Sequence, residues 1–163
     1  MQTKVYFAKV TPDAIIPSKR DEDAGFDIYP CLKTDGLKIE PHQTVMVPTG
    51  IASACDKDYC FVLKERGSTG SKGIGQRCGV IDSGYRGEWF VPLTNHNDAP
   101  IIIAKPGHPV SHEYGALLYP STKAICQALV VPVPSVEVCE LTFDGLKKIE
   151  SDRGDGALGS SGK

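Results

Sequence analysis

The feature that most constrains this chain is its punctuation. Short apolar or alternating runs recur at 5–8, 44–47, 59–63, 89–93, 101–103, 125–133 and 136–141. Each is cut off within a few residues by Gly36, Pro41, Pro48-Thr49-Gly50, Gly84, the polar stretch 95–100, Pro106-Gly107 or Pro120. Runs of this length are too short for core helices and right for strands, and their close spacing argues for a sandwich or barrel. With 17 glycines and 12 prolines in 163 residues, a helical bundle is excluded. Only 143–150 carries the pattern of a helical turn or two. Pro132 and Pro134 stop any helix there and mark a strand edge or a crossing between strands.

The length allows one domain with a real core, placed at 1–150. Residues 151–163, SDRGDGALGSSGK, are too rich in Gly and Ser to pack alone and read as a flexible C-terminal arm. Eighteen Lys and Arg against 20 Asp and Glu give a formal charge of −2. That excludes a protein that coats nucleic acid through overall basicity, but not a local site for an anion. No apolar run approaches the length of a membrane span. Six cysteines, at 31, 55, 60, 78, 126 and 139, lie mostly in apolar runs, without zinc spacing and without a signal peptide ahead of them. They read as reduced thiols in a cytoplasmic protein.

Three stretches carry groups that could do chemistry. Arg66-Gly67-Ser68-Thr69-Gly70-Ser71-Lys72-Gly73 offers cations, hydroxyls and closely approachable amides, all suited to phosphate, yet it is no Walker A loop. Gly79-Val80-Ile81-Asp82-Ser83-Gly84-Tyr85-Arg86-Gly87-Glu88 can turn a hairpin whose backbone reads a base edge. Asp82 is placed there as a general base toward water, or as an ordinary turn residue. Asp27, just inside an apolar run, suits a hydrated Mg²⁺ or a turn. The histidines at 42, 96, 108 and 112 do not make a metal set, because Pro109 breaks the helix that the 108/112 spacing needs.

In their order along the chain, these segments resemble the five motifs of the deoxyuridine triphosphatase (dUTPase) family, homotrimeric type, in a bacterial or bacteriophage form. Asp23-Ala-Gly-Phe-Asp27-Ile matches the first, Arg66-Gly-Ser68 the second and 79–88 the third. Ile125-Cys-Gln127-Ala-Leu-Val resembles the fourth, and 153–162, RGDGALGSSG, the fifth.

The resemblance implies a jelly-roll-like β fold and a homotrimer with active sites at subunit interfaces. It also implies Mg²⁺-dependent hydrolysis of dUTP to dUMP and diphosphate. Asp82 then activates the water that attacks the α-phosphorus, and Asp27 supports the metal through water. Tyr85 packs under the deoxyribose. The backbone of a 76–85 hairpin, including Gln76, Gly79, Val80 and Ile81, takes the uracil. Arg66, Gly67, Ser68 and Gln127 line the phosphates, while Arg153, Leu158, Ser160 and Ser161 close over the substrate.

The chain departs from the family pattern in places. Gly67 stands where the family has Ser, Leu158 where it has an aromatic ring, Gln76 where it has Asn, and Ala124 where it has Arg. The segment from 95 to 127 is longer than in compact relatives. A phage-derived member would carry the further expectation of a repressor-type protein partner. Two other readings share the fold: a dCTP deaminase, with Glu88 as its candidate acid–base group, and a nucleotide-binding regulator.

Overall fold

The computed structural model describes residues 3–107 and 115–156, and it is almost entirely β. The strands are β1 (Val5–Lys9), β2 (Gly25–Ile28), β3 (Gly36–Ile39), β4 (Thr44–Pro48), β5 (Ile51–Cys55) and β6 (Tyr59–Lys64). They continue as β7 (Ile74–Gln76), β8 (Val80–Ile81), β9 (Phe90–Asn95), β10 (Ile101–Ala104), β11 (Leu117–Pro120) and β12 (Cys126–Pro132). Two short helices, α1 (Gly67–Gly70) and α2 (Phe143–Lys147), complete the described elements.

The strands assemble into four small sheets, ordered β1-β5, β11-β10-β3, β2-β12-β6-β8 and β4-β9-β7. Sequence neighbours seldom pair, so the chain crosses repeatedly between sheets, as the expected jelly-roll architecture requires. Alternation decides which residues face in. On β6, Phe61 and Leu63 are buried; on β9, Val91 and Leu93 are buried while Phe90 faces out. β10 is buried along its whole length, which explains why 101–103 reads as an unbroken apolar run. Phe7, Phe61 and Trp89 meet at ring-centroid distances of 5.1 to 5.8 Å in tilted and edge-on contacts. Such geometry adds to the burial of the rings themselves. Asn95, wholly buried, donates to the Ile39 and Ala99 carbonyls and accepts from the Asn97 backbone, so its amide costs little to bury.

Three expectations change. The segment 136–141, which alternates like a strand, is in no strand and pairs with none of the described residues; Val136 and Val138 are 74% and 90% exposed. The segment from 76 to 85 is not a paired hairpin. β7 bonds to β9 and β8 to β6, so residues 77–79 carry the chain from one sheet to another. The glycine-rich stretch, for which a flexible surface loop is the plainest reading, instead holds α1 and runs directly into β7.

The segment from 95 to 127 supplies β10 and β11, a parallel pair beside β3. The six cysteines are unpaired. Among the described residues, no helix is long and apolar enough to cross a membrane.

Candidate active site

The sheet β2-β12-β6-β8 carries most of the motif residues, and its register sets where they lie. Asp27 on β2 stands opposite Gln127 on β12, which stands opposite Lys64 on β6. Arg66 follows two residues later. Its guanidinium sits 3.0 Å from Asp27 Oδ1 and donates to Ser68 Oγ at 3.2 Å and to the Ala124 carbonyl at 3.4 Å. Gln127 Nε2 donates to the Glu65 carbonyl at 2.9 Å. Gly25 makes room for that amide, since a Cβ there would come within 2.8 Å of Gln127 Oε1.

Around this cluster opens a polar hollow of about 680 Å³ lined by Lys19, Arg20, Asp23, Asp27, Arg66 and Gln127 among others. A smaller one on the other side of the Asp27–Arg66 pair is lined by Ser68, Thr122 and Lys123. Lys123 therefore brings a cation to the place where Ala124 cannot. Gly67 has open space at its missing Cβ. The second-motif hydroxyl near Arg66 is that of Ser68.

The third-motif residues lie elsewhere on the same sheet. Ile81 pairs with Phe61, so Asp82 lies beyond the Cys60 level of β6, four residues from the Lys64 level. With three strand spacings across the sheet as well, ideal strand geometry puts the Asp82 and Asp27 backbones about 19 Å apart within one chain.

The turn at 82–85 is closed by the Tyr85 N–H donating to the Asp82 carbonyl at 3.1 Å. The Asp82 carboxylate has no hydrogen-bond or ion-pair partner among the described residues, and it lines a hollow of about 270 Å³ with Val80, Tyr85, Trp89 and Phe90. The Tyr85 hydroxyl donates to the Glu88 carbonyl at 3.0 Å. The Glu88 carboxylate accepts from the Gly50 N–H at 2.9 Å and is committed to holding the turn that follows β4.

β8 is an edge strand. Leu63 donates to the Gly79 carbonyl, so by the alternation of an antiparallel ladder Val80 turns its N–H and C=O to the open side. Val80 is 58% exposed and Ile81 is buried. Gln76 is fully engaged within the chain: its Nε2 donates to the Leu63 carbonyl and its Oε1 accepts from the Cys78 N–H. It braces the crossing between the sheets.

Arg153 lies in an exposed turn and donates to its own Gly156 carbonyl; it lines neither hollow. Leu158, Ser160 and Ser161 lie outside the described residues.

A family model for dUTPase matches residues 11–107, more than half of the chain. The chain belongs to the dUTPase family. A deoxyuridine 5′-triphosphate nucleotidohydrolase of Mycolicibacterium gilvum (strain PYR-GCK) is 31% identical, with 99% of this chain and 97% of that protein aligned. The enzyme of the same name from Leptospira interrogans is 36% identical over 104 residues, which is 61% of this chain and 71% of the relative. These relatives mark the chain as an enzyme of nucleotide hydrolysis.

Among solved structures, a dUTPase mutant of Staphylococcus bacteriophage 80alpha with dUpNHpp superposes with a TM-score of 0.76 at 20% identity, over 98% of this chain and 99% of that one. A mutant dUTPase of phage phi11 of S. aureus, described with a structural Mg(II) ion, superposes at 0.68 and 21% identity over 85% and 96%. At that identity the likeness establishes the fold: the jelly-roll expectation holds.

Sequence reasoning had no signal for two features of the site. One is the seat that Gly87 provides for the Tyr85 ring; the other is the Arg86 guanidinium bonded to the turn carbonyls. Both residues read as ordinary turn chemistry in the sequence.

Proposed function

We propose that this chain hydrolyses dUTP to dUMP and diphosphate, with Asp82 as general base, in a trimer whose active sites are each shared between chains. The observation that carries this reading is the Asp82 carboxylate, without a partner among the described residues, held beside Tyr85 and an open β8 edge at the opposite end of the sheet from the polar Asp27–Arg66 hollow, about 19 Å away by strand spacing. One substrate triphosphate cannot bring both carboxylates to bear across that distance. A second copy that offers its Asp27–Arg66–Gln127 hollow to the first copy's Asp82 turn can.

Val80's outward N–H and C=O complement a uracil carbonyl and its N3–H. Cytosine presents an acceptor and an amino group at those positions and would leave both backbone groups unpaired, which is costly once water is excluded. Tyr85 offers its ring to the sugar. Asp82 takes a proton from a water aligned with the α-phosphorus. Arg66, with Ser68 and Gln127 around it, neutralises charge that builds on the leaving diphosphate. Arg153 and the residues beyond it close over the phosphates, which keeps bulk water from the reacting centre.

The donor set fits a hydrated Mg²⁺. Among the described residues no group of three His, Cys, Asp or Glu could cage a metal. Asp27 is partly exposed in a hollow wide enough for a hydration shell, and a hard ion that keeps its waters and takes phosphate oxygens needs one such carboxylate. Bound there, the ion would offset the triphosphate charge and orient it.

Against the deaminase alternative, the Glu88 carboxylate accepts from the Gly50 N–H at 2.9 Å, a contact that draws it toward the turn after β4. The test is diphosphate release from dUTP, dCTP, dTTP and UTP offered separately with Mg²⁺, alongside Asp82→Asn. Release from dUTP alone, with kcat reduced at least ~10³-fold in the variant, is expected. Binding of dUTP without turnover by the unaltered protein would instead favour the regulator.

A further inference from the structure

Of the three glycines in the third motif, Gly79 and Gly84 have open space at the missing Cβ and Gly87 does not. Gly87 does not occupy the left-handed backbone region, so an L residue could adopt its backbone. What excludes a side chain is the Tyr85 ring. A Cβ on Gly87 would lie 2.6 Å from Tyr85 Cζ and 2.9 Å from Cε2, with the hydroxyl in contact as well. The hydroxyl end of the ring thus occupies the space a Gly87 side chain would fill, and the hydroxyl is pinned to the Glu88 carbonyl one residue further on. The rest of the residue is 43% exposed, on the wall of the hollow that holds Asp82. A ring fixed at its backbone and at its hydroxyl end is a rigid wall. A ring fixed only by its own backbone would swing.

We infer that Gly87 is a specificity-determining positioning residue: by lacking a Cβ it seats the Tyr85 ring at the height that rejects a ribose 2′-hydroxyl. This rests on the reading of Tyr85 as the sugar-contacting ring. The group a Cβ would strike is the end of an exposed side chain, not backbone or core. The ring can therefore lift away at small cost to folding, so Gly87→Ala changes selectivity rather than stability.

The experiment compares kcat/KM for dUTP and for UTP in the unaltered enzyme, Gly87→Ala, Tyr85→Ala and the double variant, with melting temperatures for all four. Gly87→Ala is expected to lower the dUTP/UTP ratio about tenfold at unchanged melting temperature. In the Tyr85→Ala background it is expected to add nothing, since the ring through which it acts is gone.

A ratio that falls in Tyr85→Ala but not in Gly87→Ala overturns the role of Gly87 and leaves the Tyr85 reading standing. A ratio unmoved by Tyr85→Ala overturns both. An equal further loss in the double variant shows that Gly87 acts elsewhere and overturns the inference. If Gly87→Ala alone is unstable, the double variant, in which the clash is absent, recovers the melting temperature; failure to recover it also overturns the inference.

Discussion

His42 shows how a single backbone angle can be read as a physical demand. It has φ of 60° and follows Pro41 in a turn where the Gln43 N–H donates to the Glu40 carbonyl at 3.1 Å. Proline first and a positive φ second is the type II arrangement, which favours Gly or Asn at the second place. The His42 imidazole is well exposed and its contact with Asp98 is a surface pair, so little packing hangs on it. His42→Val, which forces a branched Cβ into that conformation, is expected to cost about 1–2 kcal/mol. His42→Asn is expected to stay within about 0.5 kcal/mol of the unaltered protein. Thermal unfolding of the two variants checks this, and equal losses would show that the imidazole contact, not the backbone, was the stabilising element.

At the scale of elements, the turn between β8 and β9 is held by Arg86. Its Nη1 lies 2.6 Å from the Ser83 carbonyl, 3.1 Å from that of Tyr85 and 3.3 Å from that of Ser53 on β5. One guanidinium nitrogen thereby ties the Asp82–Tyr85 turn to a neighbouring sheet. Arg86→Gln is expected to lower kcat for dUTP roughly tenfold while moving KM less, because a slack turn misplaces the base more than it weakens binding. Arg86→Lys should restore only part of the loss, since the lysine side chain ends one bond short of the Nη1 position from which all three carbonyls are reached. Steady-state kinetics on both variants decide it; a rise in KM at constant kcat would assign Arg86 to binding instead.

The sequence makes some elements plain and hides others, for physical reasons. β6, β9 and β10 carry alternating or wholly apolar residues and are legible as strands. β2 begins on glycine and contains Asp27, and β5 reads Ile-Ala-Ser-Ala-Cys, so neither shows a strong apolar period. The segment 136–141 alternates without being a strand, because alternation needs a partner and this segment pairs with none of the described residues. The order of the motifs names the candidate site residues, whereas their separation along β6 is a property of register that only pairing reveals.

The same packing sorts the thiols. Burial pushes the Cys126 thiol far up and also raises Cys78, while Cys139 is exposed. Thiolate is the reactive form, so a thiol reagent on the native protein should label Cys139 first and Cys126 only after unfolding. Labelling with peptide mapping checks the order, and early modification of Cys126 would show that the β2-β12-β6 sheet opens readily.

At the scale of the whole molecule, the sheet that gathers the motif residues also separates them. Asp82 stands at one level of β6, and Asp27, Gln127 and Arg66 at another, with two strands between the outer members. The β2–β12, β12–β6 and β6–β8 pairings hold the two levels apart. In a cyclic assembly each site can take its Asp82 from one chain and its Arg66 from a neighbour, so damage to the two halves need not fall on the same site. An Asp82→Asn chain and an Arg66→Ala chain, each inactive alone, are therefore expected to regain activity when unfolded together and refolded as a mixture. Random assortment leaves both halves intact in about one quarter of the sites of an equal mixture, which sets the expected recovery. Each variant refolded alone gives the baseline, and size-exclusion chromatography confirms that the mixture assembles. Recovery near that fraction identifies shared sites. A mixture that assembles but stays at the baseline shows that each chain carries a complete site of its own, and the 19 Å gap would then have to close within one subunit on binding substrate, by about the length of four strand residues.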